Sequence, residues 1–182
     1  MSTPPTAPAS DAKSVPEDRV VIFRPSSSPS LEEAALMDWK PMGQTEMDGG
    51  AKLAEAGIDN GHTLKCLFST PGMSLCYAWF KSGYPLPRHR HNADCVYYIV
   101  AGSLQFGSET LRAGEGFFIP ADAPYAYTAG PDGLEILEFR TANSFDIEIL
   151  AKNPAFWERA AQSTQARQAA WKNERPPSER AS

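Results

Sequence analysis

The sequence predicts an all-β domain, a sandwich or barrel of short strands, on three observations. From Thr63 onward the chain breaks into seven or eight short runs of β-branched and aromatic residues, the composition that suits a pleated, half-buried surface. Turn residues separate them, including Pro71-Gly72, Gly114-Glu115-Gly116 and Pro131-Asp132-Gly133, and such short connections make sequential strands antiparallel neighbours. Finally, 182 residues suit one domain with a single core and need no disulfide staple.

The elements follow in order. Residues 1–30 are rich in Pro, Ala, Ser and Thr, too poor in bulky apolar groups to offset ordering entropy, so a disordered tail is expected. Within it VVIF at 20–23 could add a short strand. LEEAALMDWK at 31–40 has weak helical character ending before Pro41, and AKLAEAGID at 51–59 forms a further helical turn. The strand runs are TLKCLFST, SLCYAWFKSG, CVYYIVAGSLQFG (broken at its AG), SETLRAGEG, GFFIP, PYAYTAG and LEILEFRT. With its lead-in, the β domain spans 31–150. A helix is predicted over 151–173: Asn153 is a good N-cap, Pro154 suits the first helical position, and Trp157, Ala160, Ala161, Thr164, Gln168 and Trp171 share one face. Residues 174–182 form a polar tail.

Composition excludes several partners. Against 17 basic side chains stand 22 acidic ones, a net charge of −5, with no basic cluster, which argues against nucleic acid and anionic membrane. No stretch reaches the ~18 apolar residues of a membrane span, and the amino end has no apolar core of a signal peptide. A cytoplasmic protein is expected. An odd number of cysteines, Cys66, Cys76 and Cys95, reads as reduced thiols, with Cys66 and Cys76 assigned to packing.

Chemistry concentrates in GYPLPRHRHNADCVYYIVAG, residues 83–102, which holds two of the three histidines. On a strand, residues two apart face the same way, so His89 and His91 converge and can share one metal ion. Cys95 continues their parity. The third histidine, His62, is expected to serve a loop. Tyr97 shares the face of Cys95, and Tyr127 that of Tyr125; Tyr77 and Trp79 share a face of undetermined direction. Arg88, Arg90 and Asp94 flank the histidines, as substrate-binding groups or as solvated strand-end charges.

These residues resemble the two conserved motifs of the cupins. The first motif has glycine, five residues, His-X-His, three or four residues, glutamate, six residues and glycine. Gly83, His89, His91 and Gly102 match it, with Cys95 in the glutamate position. The second has glycine, five residues, proline, one residue, glycine, two residues and histidine. Gly114 and Pro120 match, with Asp122 for the glycine and Tyr125 for the histidine. The resemblance covers roughly residues 63–141 and implies an RmlC-like jelly-roll β-barrel, a cupin fold, with the disordered tail before it and the helix after it.

It also implies chemistry. A cupin centre holds Fe, Mn, Ni, Cu or Zn on three histidines and a glutamate, so the implied ligands here are His89 and His91 with Cys95 and Tyr125 as further ligands or catalytic groups. A thiol ionises near pH ~8.5 and a phenol near ~10, so either would lose its proton only under the pull of the cation. Thiol dioxygenases, also similar to cupins, place a cysteine at the glutamate position, but they keep three histidines. Two functions stay open: a metal-dependent enzyme acting on a small organic molecule, of oxygenase, isomerase or lyase type, and a metal-free module that binds or senses a small ligand. The family's small members often dimerise, and exposed strand edges agree with a homodimer.

Overall fold

The computed structural model describes residues 20–180; the disorder expected of residues 1–19 lies outside them. Among these residues nine strands and two α-helices follow in order: β1 (Met37–Trp39), α1 (Gln44–Glu55), β2 (His62–Thr70), β3 (Met73–Phe80), β4 (His89–Arg90), β5 (Cys95–Phe106), β6 (Glu109–Arg112), β7 (Gly116–Ile119), β8 (Thr128–Arg140), β9 (Phe145–Ile149) and α2 (Pro154–Trp171). A larger sheet runs β2-β3-β8-β5-β6 with β7 also on β5, and a smaller one runs β1-β9-β4. Together they form a jelly-roll-like sandwich, with β1–β9 pairing parallel and the other ladders antiparallel.

Alternation along the strands sends one face of the larger sheet into the core. Cys76, Ala78 and Phe80 on β3, Leu134 and Ile136 on β8, and Cys95, Tyr97 and Ile99 on β5 are all buried. Register aligns them in rows across the sheet. One row is Cys66, Cys76, Glu138, Tyr97 and Phe117; the next is Ser74, Arg140, Cys95 and Ile119. All three cysteines are buried thiols, and Cys66 lies directly opposite Cys76.

The amino-terminal half departs from expectation. VVIF forms no strand and stays exposed, whereas Arg24–Ser30 is held: it turns through a short 3-10 helix, and Ser30 bridges to Lys65 of β2. In place of a helix over 31–40 there are turns and then β1, because Met37–Trp39 finds a partner in Phe145–Ile147. The helical turn expected at 51–59 is the end of a longer α1, Gln44–Glu55. Strand β9 answers to no predicted run. Strand β5 continues through its AG with register shifts, and β8 runs through Pro131-Asp132-Gly133 without a break.

At the carboxyl end α2 starts as its sequence signals: the Asn153 side chain accepts from the Ala155 N–H, and Pro154 occupies the first turn. Trp157 and Trp171 are buried, and each indole N–H donates to a backbone carbonyl, of Ala151 at 2.7 Å and Ser82 at 2.9 Å. Burying each ring contributes about 4–6 kcal/mol before opposing entropy. The polar segment after α2 folds back on the barrel. Glu174 accepts from the Ser82 N–H and hydroxyl, and Ser178 donates to Glu135. No helix among the described residues is long and apolar enough to cross a membrane.

Candidate metal centre and ligand cavity

Glycines shape the backbone at both ends of the first motif. Gly83 and Gly102, which bound the first motif, both have positive φ (65° and 78°), and a Cβ on Gly102 would lie 2.1 Å from the Gly133 carbonyl oxygen. Asp122, in the glycine position of the second motif, keeps the left-handed backbone with φ 64°, a conformation Asp tolerates better than most residues. Its carboxylate meets Arg90 at 2.8 Å. The Asp122 N–H bonds the His91 carbonyl, and the backbones of His89 and Tyr125 exchange two hydrogen bonds of 3.0 and 2.9 Å. In this way the two motifs are laced together.

The result is a buried aromatic cluster. The rings of His89 and His91 lie 5.0 Å apart, nearly perpendicular, and that of Tyr125 is 4.3 Å from His89. His89 Nδ1 faces the Pro87 carbonyl at 2.7 Å and His91 Nδ1 faces the Asp146 carbonyl at 2.6 Å. A carbonyl only accepts, so both rings carry their proton on Nδ1 and keep a lone pair on Nε2. Neither Nε2 has a hydrogen-bond partner among the described residues. Burial, then the charge of Arg140, drives the His91 imidazole down to about 3, and burial lowers His89 as well. Both rings are neutral at pH 7.

Beside them lies a charged pair that the sequence reading did not single out. Glu138 and Arg140 on β8 point inward, 8% and 2% exposed, and form an ion pair of 2.7 Å. Arg140 Nη2 also reaches the Tyr97 hydroxyl at 3.4 Å, and Tyr97 in turn hydrogen bonds Tyr125. A guanidinium only donates, so Tyr97 accepts from Arg140, while the two lone pairs of a phenol oxygen leave the direction of the Tyr97–Tyr125 bond free. Burial raises the phenols of Tyr97 and Tyr125, so both stay protonated.

His89, His91, Tyr125, Tyr127, Glu138 and Arg140 line one cavity of about 400 Å³, which His62 also borders. His62 opens β2, and its Nδ1 lies 3.3 Å from the Tyr84 hydroxyl. Cys95 does not line this cavity. Its thiol faces the Val96 carbonyl at 3.7 Å, and burial pushes it up to about 12. Tyr77 points to the opposite side of the sheet from the cavity row and donates to Glu135. Arg90 is drawn off by Glu148 and Asp122, and Asp94 caps the Ala121 N–H.

The donor set fits a divalent ion in part. Two neutral imidazoles at this spacing suit metal–nitrogen bonds of about 2.0–2.1 Å. Among the described residues no third His, Cys, Asp or Glu joins them; Glu138, which lines the same cavity, is ion-paired with Arg140.

Glycine-anchored motifs, an inward His-X-His strand and a two-sheet jelly roll define a protein of the cupin fold. No protein-family model matches the chain, and no curated protein matches it. Among solved structures it is similar to KdgF from Halomonas sp., at 26% identity over 44% of this chain and 81% of that one, with a TM-score of 0.40. It is also similar to the polyketide cyclase RemF from Streptomyces resistomycificus, at 18% identity over 58% and 82%, TM-score 0.46. A third is a Ralstonia eutropha protein of unknown function with a cupin-like fold, at 16% identity over 84% and 90%, TM-score 0.48.

Proposed function

We propose that the barrel holds one divalent transition metal, Fe, Zn, Ni, Cu or Mn, on the Nε2 atoms of His89 and His91 and acts as an enzyme on a small organic molecule beside it. One observation carries this reading: both Nδ1–H groups are tied to backbone carbonyls, the arrangement that fixes the tautomer and orientation of metal-binding histidines. When bound, such an ion supplies a Lewis acid or an oxygen activator. The chain's own contribution is to orient. Tyr125 presents its hydroxyl to the cavity, positioned by its hydrogen bond to Tyr97. Cys95 is not assigned to the ion in this reading; its thiol packs between strands.

We further propose that the protein acts in the cytoplasm as a homodimer. An outward apolar patch of Val96, Tyr98, Val100, Phe118 and Phe139, each at least 40% exposed, supports the dimer. Light scattering should give twice the 19.8 kDa chain mass; a single chain mass refutes it. For the metal, protein purified without a tag, reconstituted and desalted should carry about one ion per chain, and His89→Ala/His91→Ala should carry none. Less than about a tenth of an ion per native chain defeats the metal reading and leaves a ligand-binding module.

A further inference from the structure

Two of the three thiols face each other across a strand pair. In the ladder of β2 with β3, Cys66 lies opposite Cys76. Antiparallel pairs alternate between hydrogen-bonded and non-hydrogen-bonded positions, and three backbone bonds show which kind this is. Gly61 accepts from the Lys81 N–H, so the odd positions of β2 are the bonded ones. At the even positions the backbone turns outward: the Leu64 carbonyl accepts from Leu31, and the Cys66 N–H donates to the Pro29 carbonyl at 3.0 Å. Cys66 and Cys76 are therefore a non-hydrogen-bonded pair, whose Cα atoms stand about 4.5 Å apart. A disulfide spans ~4.4–6.8 Å between Cα atoms. Both side chains enter one apolar cluster, with Leu31, Leu36, Ala93 and Phe145, so they leave the sheet on the same face. Cys95 lies opposite Arg140 and Ile119 instead.

The geometry points to Cys66 and Cys76 as an oxidisable dithiol, which hydrogen peroxide converts to a cross-strand disulfide while Cys95 stays a thiol. Hydrogen bonding from Cys76 draws the Cys66 thiol down to about 7, and Cys76 itself is raised, which makes Cys66 the nucleophile. Its thiolate attacks one peroxide oxygen and the O–O bond breaks. Cys66 becomes a sulfenic acid, and the departing hydroxide takes up the Cys66 proton as water. The Cys76 sulfur then attacks the Cys66 sulfur: the S–S bond forms, the S–O bond breaks, and the hydroxyl leaves with the Cys76 proton as a second water. Two electrons pass from the sulfurs to the peroxide. Both thiols are buried, which suits an oxidant little larger than water. Cys76 also pairs with Glu138 across β3 and β8, so the bond ties the edge strand β2 to the row that carries the ion pair of the cavity. The inference is independent of the metal reading.

Mass spectrometry of the native full chain tests it. The reduced, desalted protein is treated with hydrogen peroxide, unfolded in N-ethylmaleimide and digested with trypsin without reduction. Residues 66–81 form one tryptic peptide that holds both cysteines. It should lose two hydrogens and take no maleimide, while the Cys95 peptide takes one and the circular dichroism of the oxidised chain stays native. Dithiothreitol added before alkylation should restore a maleimide on each cysteine. Cys95→Ala should form the same bond, and Cys66→Ser should leave Cys76 fully alkylated. The proposal is overturned by maleimide on all three cysteines after peroxide, by a sulfinic acid at Cys66 without the bond, or by a disulfide that includes Cys95. A bond found only in chains that have lost their native spectrum overturns it as well.

Discussion

Replacing Glu138 by leucine should strand the Arg140 guanidinium in the core. Arg140 is 2% exposed, its Nη2 bond to Glu138 is 2.7 Å, and the remaining contacts are the Tyr97 hydroxyl at 3.4 Å and the Phe145 ring at 4.3 Å. Nε and Nη1 already lack partners, so no other group of the described chain stands ready to replace the lost carboxylate. Breaking one side of a buried ion pair costs about 3–5 kcal/mol. For a chain of this size that lowers Tm by about 6–20 °C, at roughly 2–4 °C per kcal/mol. Removing both charges, as Glu138→Leu/Arg140→Met, should cost far less, because apolar groups of similar volume replace a pair that is expensive to desolvate. Urea and thermal unfolding of both variants give the comparison. A loss below about 1 kcal/mol in Glu138→Leu would place the pair in solvent and refute its buried role.

Two further outcomes follow from the same geometry. Gly49→Ala places a Cβ 2.1 Å from the Trp157 ring, so α1 and α2 must separate; unfolding should show about 1–3 kcal/mol of destabilisation, and an unchanged urea midpoint would refute the packing. His91 has a folded pKa of about 3 against 6.5 when unfolded, and His89 is shifted the same way. Between those values the unfolded chain binds protons that the folded chain does not, so stability of metal-free protein should fall as pH drops from 6.5 towards 3. Urea midpoints at pH 7 and about pH 4.5 measure this; a steeper loss in native protein than in His91→Leu is expected, and identical losses would contradict it.

Much of the barrel was legible because its strands obey local rules. TLKCLFST, SLCYAWF and CVYYIV alternate or carry β-branched and aromatic residues, and the motif glycines mark turns that demand positive φ. The carboxyl-terminal helix announced itself through Asn153 and Pro154. Helix α1 was hidden by Gly49-Gly50, poor helix formers whose local cost is outweighed by packing: Gly49 is where Trp157 needs room. Strand β1 had three residues and a partner over a hundred positions away, a pairing no local window reveals.

The site was half legible. The His-X-His spacing put His89 and His91 together, and backbone pairing brought Tyr125 to them. Glu138 and Arg140 belong to neither motif, and charges on a half-buried strand ordinarily face solvent. On this stretch the sense is inverted: Phe139 is 40% exposed while its neighbours are buried. Charges two apart on an otherwise apolar strand were the available signal, and their inward direction follows from the register with Cys95 and Tyr97.

The central claim is that two lone pairs, on His89 and His91, share one ion. Long-range proton–nitrogen correlation spectra of histidine-labelled protein, recorded with and without zinc, test it most directly. Nε2 of His89 and His91 should shift together on addition of one equivalent, both Nδ1 should stay protonated, and His62 should not respond. Unshifted Nε2 resonances, or a response confined to His62, would contradict it.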